Sequence, residues 1–161
     1  MPNQPRFLDH IDRMTGYIPG EQPRLGQLIK LNTNENPYPP SPKVLETIRE
    51  SVTQDLRKYP DAGASGVRSR LSNILGAPPE HFVVGNGSDE LLNVILRCFA
   101  GPGDRVVFPT PTYPYYDKLI ALQDAIAVPV PLDDEFNLPI DKLVQEDARV
   151  TLLANPNSPT G

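Results

Sequence analysis

Between residues 41 and 58, apolar side chains return every three or four positions, at Leu45, Ile48, Val52 and Leu56. That spacing predicts an amphipathic helix with one buried face. Ser41 is a residue type that caps helices and Pro42 suits a first helical position, so the start is marked as well. Tyr59-Pro60-Asp61-Ala62-Gly63 reads as a turn. Val67, Leu71, Ile74 and Leu75 then predict a second helix over 65–75, stopped by Gly76 and Pro78-Pro79. Beyond it the pattern alternates. Apolar runs at 81–84, 105–108, 126–130 and 149–154 predict strands, and residues 88–100, 113–122 and 140–145 predict helices. Strand–helix alternation with short connections implies an α/β fold with a mainly parallel, helix-flanked sheet.

Residues 1–40 do not share this regularity. The stretches 14–24 (MTGYIPGEQPR) and 32–42 (NTNENPYPPSP) are rich in Pro, Gly and Asn, which favour turns and cannot join a helix interior. They predict an irregular N-terminal arm that needs a surface to lie on, from the same protein or a second subunit. The remainder, 41–161, is expected to be the first part of a larger domain. Its last predicted strand runs into a turn with no following helix, so the chain reads as the front part of something longer.

Composition narrows the class. Leu, Ile, Val and Phe make up about 27% of the 161 residues, above the ~20% that marks disordered chains. Twenty residues are proline, well over the usual ~5%, yet there is no triplet period of the collagen kind. The net charge of −5 comes with no basic cluster, which argues against a sequence-independent nucleic-acid binder. No apolar stretch approaches the ~20 residues that span a bilayer, and the first residues lack the apolar core of an export signal. A single Cys98 rules out an intrachain disulfide framework and suits a reducing, cytoplasmic setting. Two scattered histidines, His10 and His81, and one cysteine give no zinc-ligand spacing, so no metal is expected.

Three loops follow predicted strands and could carry chemistry. Gly85-Asn86-Gly87-Ser88-Asp89-Glu90 joins a strand to a helix. Its glycines permit a sharp turn, and the unpaired N–H groups of a first helical turn attract anions. The same residues are also explained if Ser88 or Asp89 simply caps the helix. As a dinucleotide fingerprint the loop lacks the third glycine, and as a P-loop it lacks Gly-Lys-Ser/Thr. Pro109-Thr110-Pro111-Thr112-Tyr113 stiffens the next strand's carboxyl end, where open α/β sheets bind ligands. Tyr113 could lie against a flat cofactor or serve as packing. Asn155-Pro156-Asn157-Ser158-Pro159-Thr160-Gly161 closes the third strand as a turn.

Taken in order and at these separations, YPDAG, GNGSDE, PTY and NPNSPTG resemble the fold-type I aminotransferases that use pyridoxal 5'-phosphate. The arm motif LNTNENPYPPSP, preceded by GYIPGEQP, narrows the likeness to the histidinol-phosphate aminotransferase branch. The resemblance runs from about Tyr17 to Gly161. It implies that Gly87, Ser88 and Asp89 hold the cofactor phosphate and that Tyr113 stacks on its pyridine ring. It implies that Tyr59 reaches the phosphate of a neighbouring subunit in a homodimer with shared sites. Tyr17 and Asn34 would line the pocket for the amino donor and the 2-oxo acid acceptor. From the residues alone, Tyr59 reads better as a turn tyrosine covering its own helix.

Two departures accompany the likeness. The family usually carries asparagine directly before Pro-Thr-Gly, donating to the cofactor's ring oxygen; here Ser158 stands there, with Asn157 one position earlier. The family also needs a Schiff-base lysine, usually after serine, an acidic partner for the ring nitrogen and an arginine for the substrate anion. None of Lys30, Lys43, Lys58, Lys118 and Lys142 follows a serine, so that lysine is expected downstream and no catalytic residue within 1–161. The complete enzyme is expected to transaminate histidinol phosphate in histidine biosynthesis. Open alternatives are a threonine-phosphate decarboxylase or aromatic aminotransferase of the same fold, and a non-catalytic nucleotide- or ligand-binding α/β module.

Overall fold

In the computed structural model, which describes residues 7–16, 29, 31–144 and 147–161, the apolar runs of the second half form the sheet. Strands β1 (Arg105–Thr110), β2 (Ile126–Pro131) and β3 (Ala148–Thr151) pair in the order β2-β1-β3, all parallel. Register runs from Arg105 opposite Ile126 to Thr110 opposite Pro131 on one edge of β1. On the other edge it runs from Arg105 opposite Ala148 to Val107 opposite Thr151, with a shift between Arg105 and Val106. The β1–β3 ladder closes with Leu152 N–H donating to Val107 O at 2.8 Å. Pro109, which has no N–H to give, therefore lies past that ladder.

Successive side chains of a strand point to opposite faces, and β1 serves two cores. Val106 and Phe108 join Leu96, Leu119, Ile120 and Tyr116 on one side. Val107 packs with Val130 and Leu143 on the other. The first layer is supplied by α4 (Gly87–Phe99) and α5 (Tyr116–Ala121), the second by α6 (Ile140–Leu143). The expected mainly parallel, helix-flanked α/β fold is thus present.

The described chain falls into two compact units, one built from the chain's start with Gly85–Gly161 and the other from Ile18–Val84. In the first, the short α1 (Asp9–Asp12) belongs to a segment that lies against α5. Lys118 Nζ donates to Thr15 Oγ1 at 2.7 Å, and Arg13 faces Asp124 at 3.9 Å. Arg149 Nε, on β3, donates to Phe99 O at 3.0 Å and so satisfies a carbonyl at the end of α4.

The second unit holds α2 (Pro42–Ser51) and α3 (Ser65–Leu75), the latter with the bounds the sequence predicts. The helix expected over 41–58 breaks instead at Val52, whose ψ is 83°. Thr47 and Ser51 hydroxyls donate back to carbonyls four residues earlier, at 2.9 and 2.7 Å. Thr53 Oγ1 then accepts from Asp55 N–H and starts a separate 3-10 turn, Gln54–Arg57. Short polar side chains compete with the helix ladder in this way. Ser41 occupies the cap position of α2 but makes no side-chain cap bond. The strand expected at 81–84 is also absent. His81 ends a 3-10 turn (Pro79–His81), and the extended residues after it have no ladder partner among the described residues. Apolar character selects extended backbone, but a strand also needs a neighbour.

Leu96 is fully buried in the α4–β1–α5 layer. Leu96→Ala is expected to destabilise the chain by about 2–5 kcal/mol, read as a lower urea midpoint by circular dichroism.

Candidate functional site

The sheet's carboxyl edge gathers three loops of the first unit. Gly85-Asn86-Gly87 leads into α4, where Gly87 has φ +82° and open space around a built Cβ. That left-handed conformation favours glycine. Gly85 is needed for a different reason. A Cβ there would meet Leu91 Cδ2 at 2.8 Å and Glu90 Oε2 at 2.9 Å. Neither Ser88 nor Asp89 caps the helix. Asn86 holds the cap position, and its N–H donates to the Glu90 carboxylate, like the returning arm of a capping box. The first-turn N–H groups of α4 have no intrahelical acceptors, which leaves them disposed toward an anion.

Tyr113 lies on the loop after β1. Its hydroxyl donates to the Asp89 carboxylate, at 2.9 Å from Oδ1 and 3.2 Å from Oδ2. Its ring is half-buried and meets Tyr115 and Tyr116 edge-on, with centroids 6.1 and 5.7 Å away. The loop after β3 joins the same group. Thr112 Oγ1 donates to Asn157 Oδ1 at 2.6 Å. Asn157 Nδ2 donates to Pro111 O at 3.1 Å and to Thr160 Oγ1 at 2.8 Å. Gly161 N–H closes the turn on Asn157 O at 2.8 Å, and Ser158 sits exposed within it.

Gly87, Ser88, Asp89, Tyr113, Asn157 and Ser158 therefore share one edge of one unit. Tyr59 and Asn34 belong to the other unit. Tyr59 is wholly exposed, at 101% of its reference area, directly before the Asp61 turn. Asn34 is exposed in a left-handed conformation, φ 51°, which asparagine tolerates. Tyr17 lies outside the described residues. Thr112 and Glu90 were not among the sequence candidates. A carboxylate near a helix start is a recognisable capping signal for Glu90, whereas nothing local marks Thr112, whose partner is 45 residues away.

Asp61 organises the turn that follows Tyr59. Its carboxylate accepts from the Ser65 hydroxyl, from Ser65 N–H at 2.6 Å and from Gly63 N–H at 3.0 Å. These bonds, the Ser65 hydroxyl foremost, hold its carboxyl below the usual carboxylate range.

The sequence profile described as aminotransferase class I and II matches residues 26–161. Histidinol-phosphate aminotransferase 1 of Trichormus variabilis is 43% identical over 156 residues, covering 96% of this chain and 45% of its own length. Histidinol-phosphate aminotransferase of Rhodopirellula baltica is 44% identical over 153 residues, 94% of this chain and 42% of its own. The chain thus spans less than half the length of these curated relatives. Among solved structures, histidinol-phosphate aminotransferase from Sinorhizobium meliloti in complex with pyridoxal-5'-phosphate matches with a TM-score of 0.71 at 32% identity. That match covers 80% of this chain and 36% of the other.

Two outcomes are expected from this geometry. Gly87→Ala, forced to keep a positive φ, should lower stability by about 1 kcal/mol in urea unfolding. Because the folded-state pKa of Asp61 is depressed, its contribution is present above its unfolded value. It disappears as pH falls through the lower folded value. Asp61→Asn should therefore flatten the acid limb of stability against pH, below about pH 5.

Proposed function

Because the chain belongs to the aminotransferase class I and II family, we propose that it forms the N-terminal part of a histidinol-phosphate aminotransferase. In that reading the whole enzyme moves an amino group between histidinol phosphate and a 2-oxo acid in histidine biosynthesis. The observation that carries it is 43–44% identity to such enzymes over nearly the whole chain, with three loops meeting at one sheet edge. Residues 41–161 would be the first part of the cofactor-binding domain and 1–40 an arm on the substrate side.

The residues at this edge fit pyridoxal phosphate. Open space at Gly87 and the unpaired first-turn N–H groups suit a phosphate. The carboxylates that follow are already engaged, Glu90 by Asn86 N–H and Asp89 by the Tyr113 hydroxyl. Bound there, the cofactor supplies the electron sink for amino-group exchange. Gly87, Ser88 and Asp89 would bind its phosphate through main-chain N–H groups, and Tyr113 would stack on its ring. The loop of Asn157 and Ser158 would face the ring oxygen. Tyr59, exposed and next to a rigid turn, would reach the partner subunit's phosphate in a homodimer, with Tyr17 and Asn34 lining the substrate pocket.

The catalytic lysine would lie outside 1–161, since no lysine here follows a serine. A cytoplasmic setting suits a chain with one cysteine. Among the described residues, no helix is long and apolar enough to cross a membrane.

The full-length protein is expected to show a bound-cofactor absorbance band and to turn over histidinol phosphate with a 2-oxo acid. Residues 1–161 alone should give no turnover and no pyridoxyl-lysine after borohydride reduction, checked by mass spectrometry. A full-length protein that binds the cofactor but prefers threonine phosphate or aromatic amino acids would shift the assignment to a sister activity. One with no cofactor band would sink it.

A further inference from the structure

Asp89 and Asn157 stand where cofactor ligands would stand, yet their side chains are engaged elsewhere. An ionised carboxylate only accepts hydrogen bonds, so the Asp89 side chain has nothing to donate to a phosphate and would repel one at close range. What it does is receive the Tyr113 hydroxyl, at 2.9 and 3.2 Å. Asn157 Oδ1 accepts from Thr112, and both Nδ2 hydrogens are directed elsewhere, to Pro111 O and Thr160 Oγ1. Donating to a ring oxygen would require Asn157 Nδ2 to give up one of these bonds.

The two sets of bonds converge on neighbouring residues. Asp89 holds the far end of the Tyr113 side chain, and Asn157 holds the backbone and side chain of Pro111 and Thr112 directly before it. Tyr115 and Tyr116 brace the ring through T-shaped contacts. A ring pinned at its hydroxyl and at its loop loses little freedom when a flat ligand arrives, and such pre-organisation strengthens binding without any new contact.

We infer that the side chains of Asp89 and Asn157 are positioning groups that set the Tyr113 ring before the cofactor binds, rather than groups that contact the cofactor themselves. The inference rests on the proposed pyridoxal-phosphate site and assigns two of its residues a different task.

A double-mutant cycle in the full-length protein tests it. Tyr113→Phe keeps a ring to stack and removes the hydroxyl; Asp89→Ala removes the acceptor. Each is expected to raise the pyridoxal-phosphate dissociation constant about three- to tenfold, and the double variant no further than the worse single one. The induced circular dichroism of the bound cofactor should change alike in all three. Asp89→Asn, which retains an acceptor, should stay within about twofold of wild type. Thr112→Val and Asn157→Ala should show the same lack of additivity.

Losses that add, or an Asp89→Asn variant as impaired as Asp89→Ala, would mean that the Asp89 side chain acts other than through the Tyr113 hydroxyl and would overturn the inference. A wild-type protein with no bound-cofactor band would fault the proposed function instead. In that case the same cycle in urea unfolding of the cofactor-free protein still measures the Asp89–Tyr113 bond, and zero coupling would overturn the inference.

Discussion

Strand β1 is the constraint from which the rest of the first unit follows. It is paired on both edges, and its alternating side chains supply two cores at once. A one-residue slip would exchange those faces, moving Val107 into the layer built for Val106 and Phe108. Because β1 is held this firmly, the loop leaving Thr110 starts from a fixed point and direction. Tyr113 is aimed at the start of α4 from a strand that is paired on both edges.

The start of α4 combines opposed electrostatic features. Acidic residues in a first helical turn are favourable, because the helix dipole is positive there. They would also discourage a bound anion. The fold reconciles the two by giving each carboxylate a donor of its own, Asn86 N–H for Glu90 and the Tyr113 hydroxyl for Asp89. The main-chain N–H groups of the first turn are then the features left to meet an anion.

Much of this could be read from the residues. The strands at 105–108 and 126–130 were legible as short apolar runs rich in β-branched residues, and α3 was legible from its spacing and its Gly76 stop. The break at Val52 was not, because it depends on hydroxyls turning back onto carbonyls rather than on apolar periodicity. Nor was the missing ladder at 81–84, since pairing belongs to two segments and the pattern describes one. At the site, Gly87 and Tyr113 announce themselves by residue type and loop position. The bond from Thr112 to Asn157 does not, because sequence carries no mark for a partner 45 residues away.

The hydrogen bond from Arg149 to the Phe99 carbonyl has a consequence for how the unit comes together. Its partners are 50 residues apart, so α4 can coil from local bonds alone, while the carbonyl at its end waits for β3 to dock. Closing a loop of that length is slow compared with forming a local turn. During synthesis on the ribosome, the Phe99 carbonyl therefore gains this donor only after residue 149 has left the exit tunnel. Docking of β3 both fills the second edge of β1 and brings that carbonyl its donor, so the two events are coupled.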